Sequence, residues 1–232
     1  MRPLTLRRFH RWHGLAMTLI IVMASGSGIL HTVMTWVQTP PPPPRPAAVI
    51  DLSAVNAGPD AIAAALPDGA APTAVGLRHV DGRPLWQVFC QGRSTPLYVD
   101  TANGALVEDA DRAYARNIAS THLGREDLDD GDLVTSFDNE YLTIFRILPV
   151  WRFRASDDRG TRVYVSTLTG SVTRHTDDWK QIEANAFTYL HKWNFISNKR
   201  LRDAALVTAN LALIALALSG LWLFWRTRRS GA

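Results

Sequence analysis

Three histidines stand in one uncharged apolar run. From Phe9 to Trp36 the chain reads FHRWHGLAMTLIIVMASGSGILHTVMTW, with no acid and no charge after Arg11. His10, His13 and His31 are its imidazoles. Imidazole titrates near neutral pH and is the commonest protein metal ligand. Deep in an apolar segment, such a group marks a functional site by default. His13 and His31 are 18 residues apart. On an ideal helix that is five full turns, so both lie on one face, about 27 Å apart. Ala24, Ser27, Gly28 and Thr35 share the face of His31. Small residues there let a second helix approach, or leave a flat slot for a porphyrin. Two readings stay open: helix packing with His31 hydrogen-bonded to a partner, or ligation of haem. A bis-histidine haem needs a second imidazole from another helix. His191, just before the second apolar run, is the nearby candidate, and it would have to fold back over the end of the first span. His10 and His13 are weaker candidates for a second haem at the opposite end. Their competing reading is solvated, interfacial histidines beside arginines.

The elements that must position these groups are two membrane spans. At about 1.5 Å per residue, the first run crosses a ~30 Å bilayer core as one helix. Ala204–Trp225 is a second uncharged run of sufficient length. The chain has 232 residues, 25 Lys and Arg, 21 Asp and Glu, and a formal net charge of +4. Residues 1–37 hold Arg2, Arg7, Arg8 and Arg11 and no acid; residues 204–232 hold Arg226, Arg228 and Arg229 and no acid. The 18 cations that remain meet all 21 acids in the middle, a net charge of −3 there. The basic excess therefore lies in the two ends, which argues against nucleic acid as a partner. It is instead the positive-inside signal of a bilayer protein with both ends cytoplasmic. Residues from about 40 to 200 are then outside, the periplasm of a bacterial inner membrane. Lys199, Arg200 and Arg202 fall on that outer side and weaken the asymmetry slightly. A cleaved signal peptide ending at Ala24-Ser25-Gly26 competes for the first run. The run continues through Ile29, Leu30, Val33 and Met34, which favours a span. Arg7-Arg8 alone is weak evidence for a twin-arginine signal.

The domain reading follows in order. Residues 1–13 are a basic tail and 14–37 the first span. Residues 38–47 are a proline-rich spacer, stiff in the polyproline II form. Residues 48–124 and 125–178 are two small α+β units. Residues 179–203 are an aromatic-rich interfacial helix and connector. Residues 204–225 are the second span, with Asn210, Ser219 and Gly220 as candidate helix-contact positions. Residues 226–232 are the second tail. The fold class is thus α+β, with two transmembrane helices flanking the α+β units.

An internal repeat carries the two-unit reading. Pro84-Leu85-Trp86 recurs as Pro149-Val150-Trp151, and Tyr98-Val99-Asp100-Thr101 as Tyr164-Val165-Ser166-Thr167. Trp86, Val88 and Cys90 alternate onto one strand face, as do Trp151, Phe153 and Ala155, with Arg152 and Arg154 pointing away. Asn103-Gly104 and Thr169-Gly170 mark turns. Helices are expected over 60–66, 109–122 and 178–191. Cys90 matches an inward alanine and reads as a buried structural thiol. His79, His122 and His175 read as surface or satisfied core groups. The acidic run at 124–132, GREDLDDGD, lacks the glycine and glutamate pattern of an EF-hand loop.

Four blocks now fall in a familiar order. FHRWHG opens the first span, LPVWRFR with GTRVYVSTLTGSVTRH forms the second repeat, YLHKWNF follows, and SGLWLFWR closes the second span. This arrangement resembles the PepSY-associated transmembrane family and covers most of the chain. The resemblance implies a periplasmic PepSY region in the inner membrane. Family members include reductases that move electrons through haem b to ferric siderophores. His13 matches the histidine of the first block and His191 that of the LH block. The resemblance therefore implies haem b as cofactor. Together with the depth of His31 in the first span, it makes His31 and His191 the main ligand candidates and His13 and His10 the weaker ones. It also implies electron transfer toward ferric iron or a siderophore. This chain has fewer spans than the larger reductases, which makes a homodimer or a partner membrane redox protein attractive. Other PepSY proteins have no known redox role. For them the expectation is a non-catalytic binding or regulatory module held at the membrane.

Overall fold

The computed structural model of the chain describes residues 3–38 and 49–229. The proline-rich spacer expected at 38–47 lies, apart from Gln38, outside the described residues. The chain divides into a helical unit, taken from before residue 40 and after residue 178, and a sheet unit taken from the residues between.

The helical unit contains two helices long and apolar enough to cross a membrane. Helix α1 runs Pro3–Val37 and helix α5 runs Lys199–Arg229. Only 6% of the apolar window in α1 and 11% of that in α5 is buried within the protein. A soluble core helix would be mostly buried, so these apolar surfaces call for a bilayer. Polar side chains in both helices are satisfied locally, as a medium without water demands. Thr18, Thr32 and Thr35 donate to the carbonyls of Gly14, Gly28 and His31, and Thr208 and Asn210 to those of Ala204 and Leu206. Asn210 is therefore spent on its own helix, whereas Ser219 is buried at a helix contact. Both helices begin earlier than their apolar runs. Nothing in residues 3–13 breaks a helix. Asn198 Oδ1 accepts from the Leu201 amide at 3.2 Å as an N-cap, and Lys199 pairs with Asp203 at 2.5 Å one turn on.

Helix α4, Asp178–Ala186, passes into a π-helical turn, Phe187–His191. Trp193 then takes φ +51° and ends the run. The expected interfacial helix is thus a helix with a widened last turn.

The sheet unit is built from the repeat. A first antiparallel sheet has order β1-β2-β3, with β1 Pro72–Val80, β2 Arg83–Cys90 and β3 Leu97–Asp100. The second has order β4-β5-β6-β7: Asp132–Val134, Val150–Arg154, Arg162–Ser166 and Ser171–Thr176. Trp86 pairs with Val99 and Trp151 with Val165, so the copies share one register. Val165 pairs onward with Val172, and its counterpart Val99 bridges Leu106 alone. The fourth strand of the first copy has shrunk to that bridge.

Each copy follows its own helix, α2 (Pro59–Ala65) or α3 (Ala110–Leu123). Ile62 of α2 packs with Val88, Cys90 and Val99. Helix α3 serves both sheets. Ala110, Ala113 and Tyr114 meet Val80, Leu85 and Tyr98, while Ala115 and Ala119 meet Phe153, Val163 and Val165. The first sheet is therefore buried on both faces, which strict alternation does not anticipate. Gln87, fully buried on that second face, donates to Tyr98 Oη at 2.8 Å and to the Thr167 carbonyl at 2.9 Å. Asp111 of α3 accepts from Tyr98 Oη at 2.9 Å and from Trp151 Nε1 at 2.7 Å, joining the copies through one carboxylate. Burial foremost, with Asp111 beside it, raises the Tyr98 phenol well above its usual pKa.

Candidate functional site

The helical unit brings the four candidate histidines into two places. At one end, His10 Nδ1 meets Ser219 Oγ at 2.8 Å and His13 Nε2 meets the Ala212 carbonyl at 2.8 Å. Ser219 spends its hydroxyl proton on the Leu216 carbonyl, so His10 Nδ1–H is the donor. Gly220 makes room for that ring: a Cβ there would stand 3.1 Å from His10 Cε1. His13 must donate from Nε2, because a carbonyl only accepts. Phe9 stacks on its ring at 5.2 Å.

Farther along α1, two side-chain rows meet. Ser27 and His31 of α1, with Gln38 just past its end, form one row. Glu183, Phe187 and His191 form the other, at spacings of four. Glu183 Oε1 lies 2.5 Å from His31 Nδ1, and its Oε2 accepts from Gln38 Nε2 at 2.6 Å. His191 Nδ1 lies 3.3 Å from Ser27 Oγ. Ser27 donates its own proton to the Ala24 carbonyl, so His191 Nδ1–H donates to Ser27. Phe187 stands between the imidazoles, with its ring centre 5.9 Å from His31 and 4.7 Å from His191. Phe187 and His191 are the two ends of the π-helical turn. Such turns are frequent at functional sites.

The consequence is chemical. In both His31 and His191 it is Nδ1 that faces the neighbouring oxygen, of Glu183 and of Ser27. The His31 side chain is 59% exposed, while Glu183 is 15% exposed. A carboxylate behind one ring nitrogen is the usual support for a metal-binding histidine. The two imidazoles lie on either side of Phe187, whose ring fills the space between them. A Cβ at Gly28 would meet nothing within 4 Å. His13 differs, because its Nε2 is already engaged. His10 keeps Nε2 but lies against Gly220.

Glu183 and Gln38 escaped the sequence reading, and Phe187 read there only as one of the aromatics of the interfacial helix. The spacing Glu183-x3-Phe187-x3-His191 was the available signal. It places a lone acid on the face of the histidine in an otherwise aromatic segment.

In the sheet unit, His122 Nε2 and His175 Nδ1 lie 3.2 Å apart with rings edge-on at 5.2 Å. His79 sits half-buried on β1. Cys90 is buried, as its alignment with an inward alanine implies. The carboxylates of 124–132 are tied to arginines rather than converging. Asp127 pairs with Arg125, Asp129 with Arg154, and Asp132 with Arg152 at 2.7 Å. Among the described residues, no three His, Cys, Asp or Glu side chains are arranged to hold a metal ion. Comparison with protein-family models, with curated proteins and with solved structures finds no match to this chain.

Proposed function

We propose that the chain is an inner-membrane protein of PepSY type that binds haem b through His31 and His191 and takes part in transmembrane electron transfer. One observation carries the reading: two imidazoles on different helical segments share a neighbour, Phe187, and each turns its Nδ1 to an oxygen, of Glu183 or of Ser27. Haem iron, when bound, supplies a one-electron Fe(III)/Fe(II) couple. The residues of this chain do the rest. Glu183 and Ser27 orient the two ligands, and the apolar walls of α1 exclude water. The repeat-built sheet unit is the PepSY region, on the periplasmic side. The acceptor class is ferric iron or a ferric siderophore, reached from the outer end of the helix pair. Supply from the cytoplasmic side requires a second carrier, at His10 and His13, in a second copy, or in a partner membrane redox protein.

A second reading has its own observation. Phe187 fills the space between the imidazoles, and all four helix histidines already have hydrogen-bond partners. That pattern suits helix packing in a non-catalytic regulatory module. The visible spectrum of the full chain, purified in detergent from haem-replete cells, separates the two. Haem binding gives a Soret peak with sharp reduced α and β bands. Colourless protein from such cells overturns the first reading in favour of the second.

A further inference from the structure

The sheet unit holds a second pair of imidazoles, independent of the helix histidines. His122 lies in the last turn of α3 and His175 on β7. His122 Nε2 and His175 Nδ1 face each other at 3.2 Å, with ring centres 5.2 Å apart and ring planes at 82°. We propose that these two nitrogens form a binding site for a divalent transition-metal ion, which clips the end of α3 to β7.

The fold alone brings the pair together. His175 pairs in register with Val163, which is buried in the core with Ala115 and Ala119 of α3. Directly opposed residues share a face, so His175 lies on the α3 side of its sheet. β7 is the outer strand in the order β4-β5-β6-β7. Both histidines are half-buried, at a sheet margin that an ion can reach from solvent. The C-terminal end of a helix carries partial negative charge, which favours a cation beside His122.

The spacing suits one shared ion. Imidazole nitrogens ~2.0–2.1 Å from a tetrahedral ion stand roughly 3.3 Å apart. Each ring centre lies about 1.1 Å behind its nitrogen, so the centres of two such rings are roughly 5.2 Å apart. A straight N–H···N bond of 3.2 Å would put them about 5.5 Å apart. The observed ring separation agrees with the shared ion. Imidazole suits zinc, copper and nickel, and copper(II) binds such a donor set most tightly. Among the described residues no third His, Cys, Asp or Glu joins the pair, so water completes the coordination. Ligation puts the remaining ring protons on His122 Nδ1 and His175 Nε2.

The test uses the full chain in detergent, purified without a histidine tag, with zinc chloride as the probe. Wild type is compared with His122→Ala, His175→Ala and His79→Ala. Helix content without zinc establishes that each variant is folded. Zinc should raise the melting temperature of wild type and of His79→Ala, because the paired site exists only in the folded chain. Loss of either ring turns a chelate into a single contact. His122→Ala and His175→Ala should therefore each weaken zinc binding by about 100-fold or more and lose the melting shift. Nitrogen-15 NMR of wild type needs no variant: zinc should move the His122 Nε2 and His175 Nδ1 signals together, saturating at one ion per chain. Zinc that leaves those two signals in place overturns the proposal. So do alanine variants that both keep the wild-type affinity.

Discussion

At the residue scale the histidines divide by what holds them. His31 and His191 each turn Nδ1 to an oxygen, while His13 is committed at Nε2. If these two residues hold haem as proposed, His31→Ala and His191→Ala should each lower haem content or turn a low-spin spectrum high-spin, because each would remove a donor nitrogen. His79→Ala should do neither. Haem lost in His13→Ala but retained in both other variants would move the cofactor to the opposite end of α1. The histidines were legible in the sequence because ionisable groups stand out in an apolar run. Glu183 was not. Its meaning depends on α4 lying along α1, a tertiary fact that spacing alone does not contain.

The loop carboxylates give a second residue-scale prediction. The hydrogen bond from Arg125 holds the Asp127 carboxyl below its usual pKa, and that from Arg152 does the same for Asp132. A carboxyl depressed in the folded state contributes stability above its unfolded pKa and loses it as pH falls through the folded one. These pairs should therefore support the sheet unit at neutral pH and fail below about pH 4. Asp132 is half exposed, so solvent screening limits its pair to less than about 1 kcal/mol. Asp132→Asn should lower the melting temperature slightly at pH 7, and the difference from wild type should shrink as pH falls below about 4. An equal loss in both ranges would show that the ion pair is not the source.

At the element scale the repeat explains most of the sheet unit. Trp86 and Trp151 occupy matching register positions, and each indole reaches the start of the helix that covers its sheet. Trp86 donates to the Ala57 carbonyl at 2.7 Å and Trp151 to Asp111. Both rings are half-buried rather than enclosed. Full burial would cost ~3–5 kcal/mol on truncation to alanine, so each Trp→Ala change should cost about 2–3 kcal/mol. A full chain whose melting temperature is indifferent to both changes would contradict the shared core. Gly131 offers a sharper case. Its φ is +77°, and a Cβ there would stand 2.4 Å from Phe153 Cε1 in the core. Gly131→Ala should destabilise by about 2–4 kcal/mol, from overpacking and left-handed backbone strain together. Calorimetric unfolding of the two proteins measures it.

Alternation and glycine turns made both copies readable. The sequence concealed what α3 does between them. Val80, Leu85 and Tyr98 bury the second face of the first sheet against a helix that also belongs to the second core. A period of two identifies one buried face and is silent about a strand covered on both. The shortened fourth strand was hidden for a related reason, since one bridge at Leu106 has no period to detect.

At the scale of the whole molecule, the helix pair fixes more than the two spans taken singly. Contacts join residue 10 to 219 and residue 13 to 212, so α1 and α5 run antiparallel. Antiparallel spans bring the start of α1 and the end of α5 to one side of a bilayer. The sequence up to residue 11 and from residue 226 onward holds seven arginines, at 2, 7, 8, 11, 226, 228 and 229. Lys199, Arg200 and Arg202 begin α5 at its opposite end. The count favours the end segments on the cytoplasmic side, because Lys and Arg near span ends set orientation. On that orientation the residues between the spans are expected on the periplasmic side. Alkaline phosphatase fused near residue 110 should be active, and the same reporter fused after Ala232 should be inactive. A cytoplasmic reporter such as green fluorescent protein should show the reverse. Activity after Ala232 with silence near residue 110 would invert the orientation. Activity at both places would break the antiparallel pair itself, because two spans packed that way cannot leave their outer ends on opposite sides.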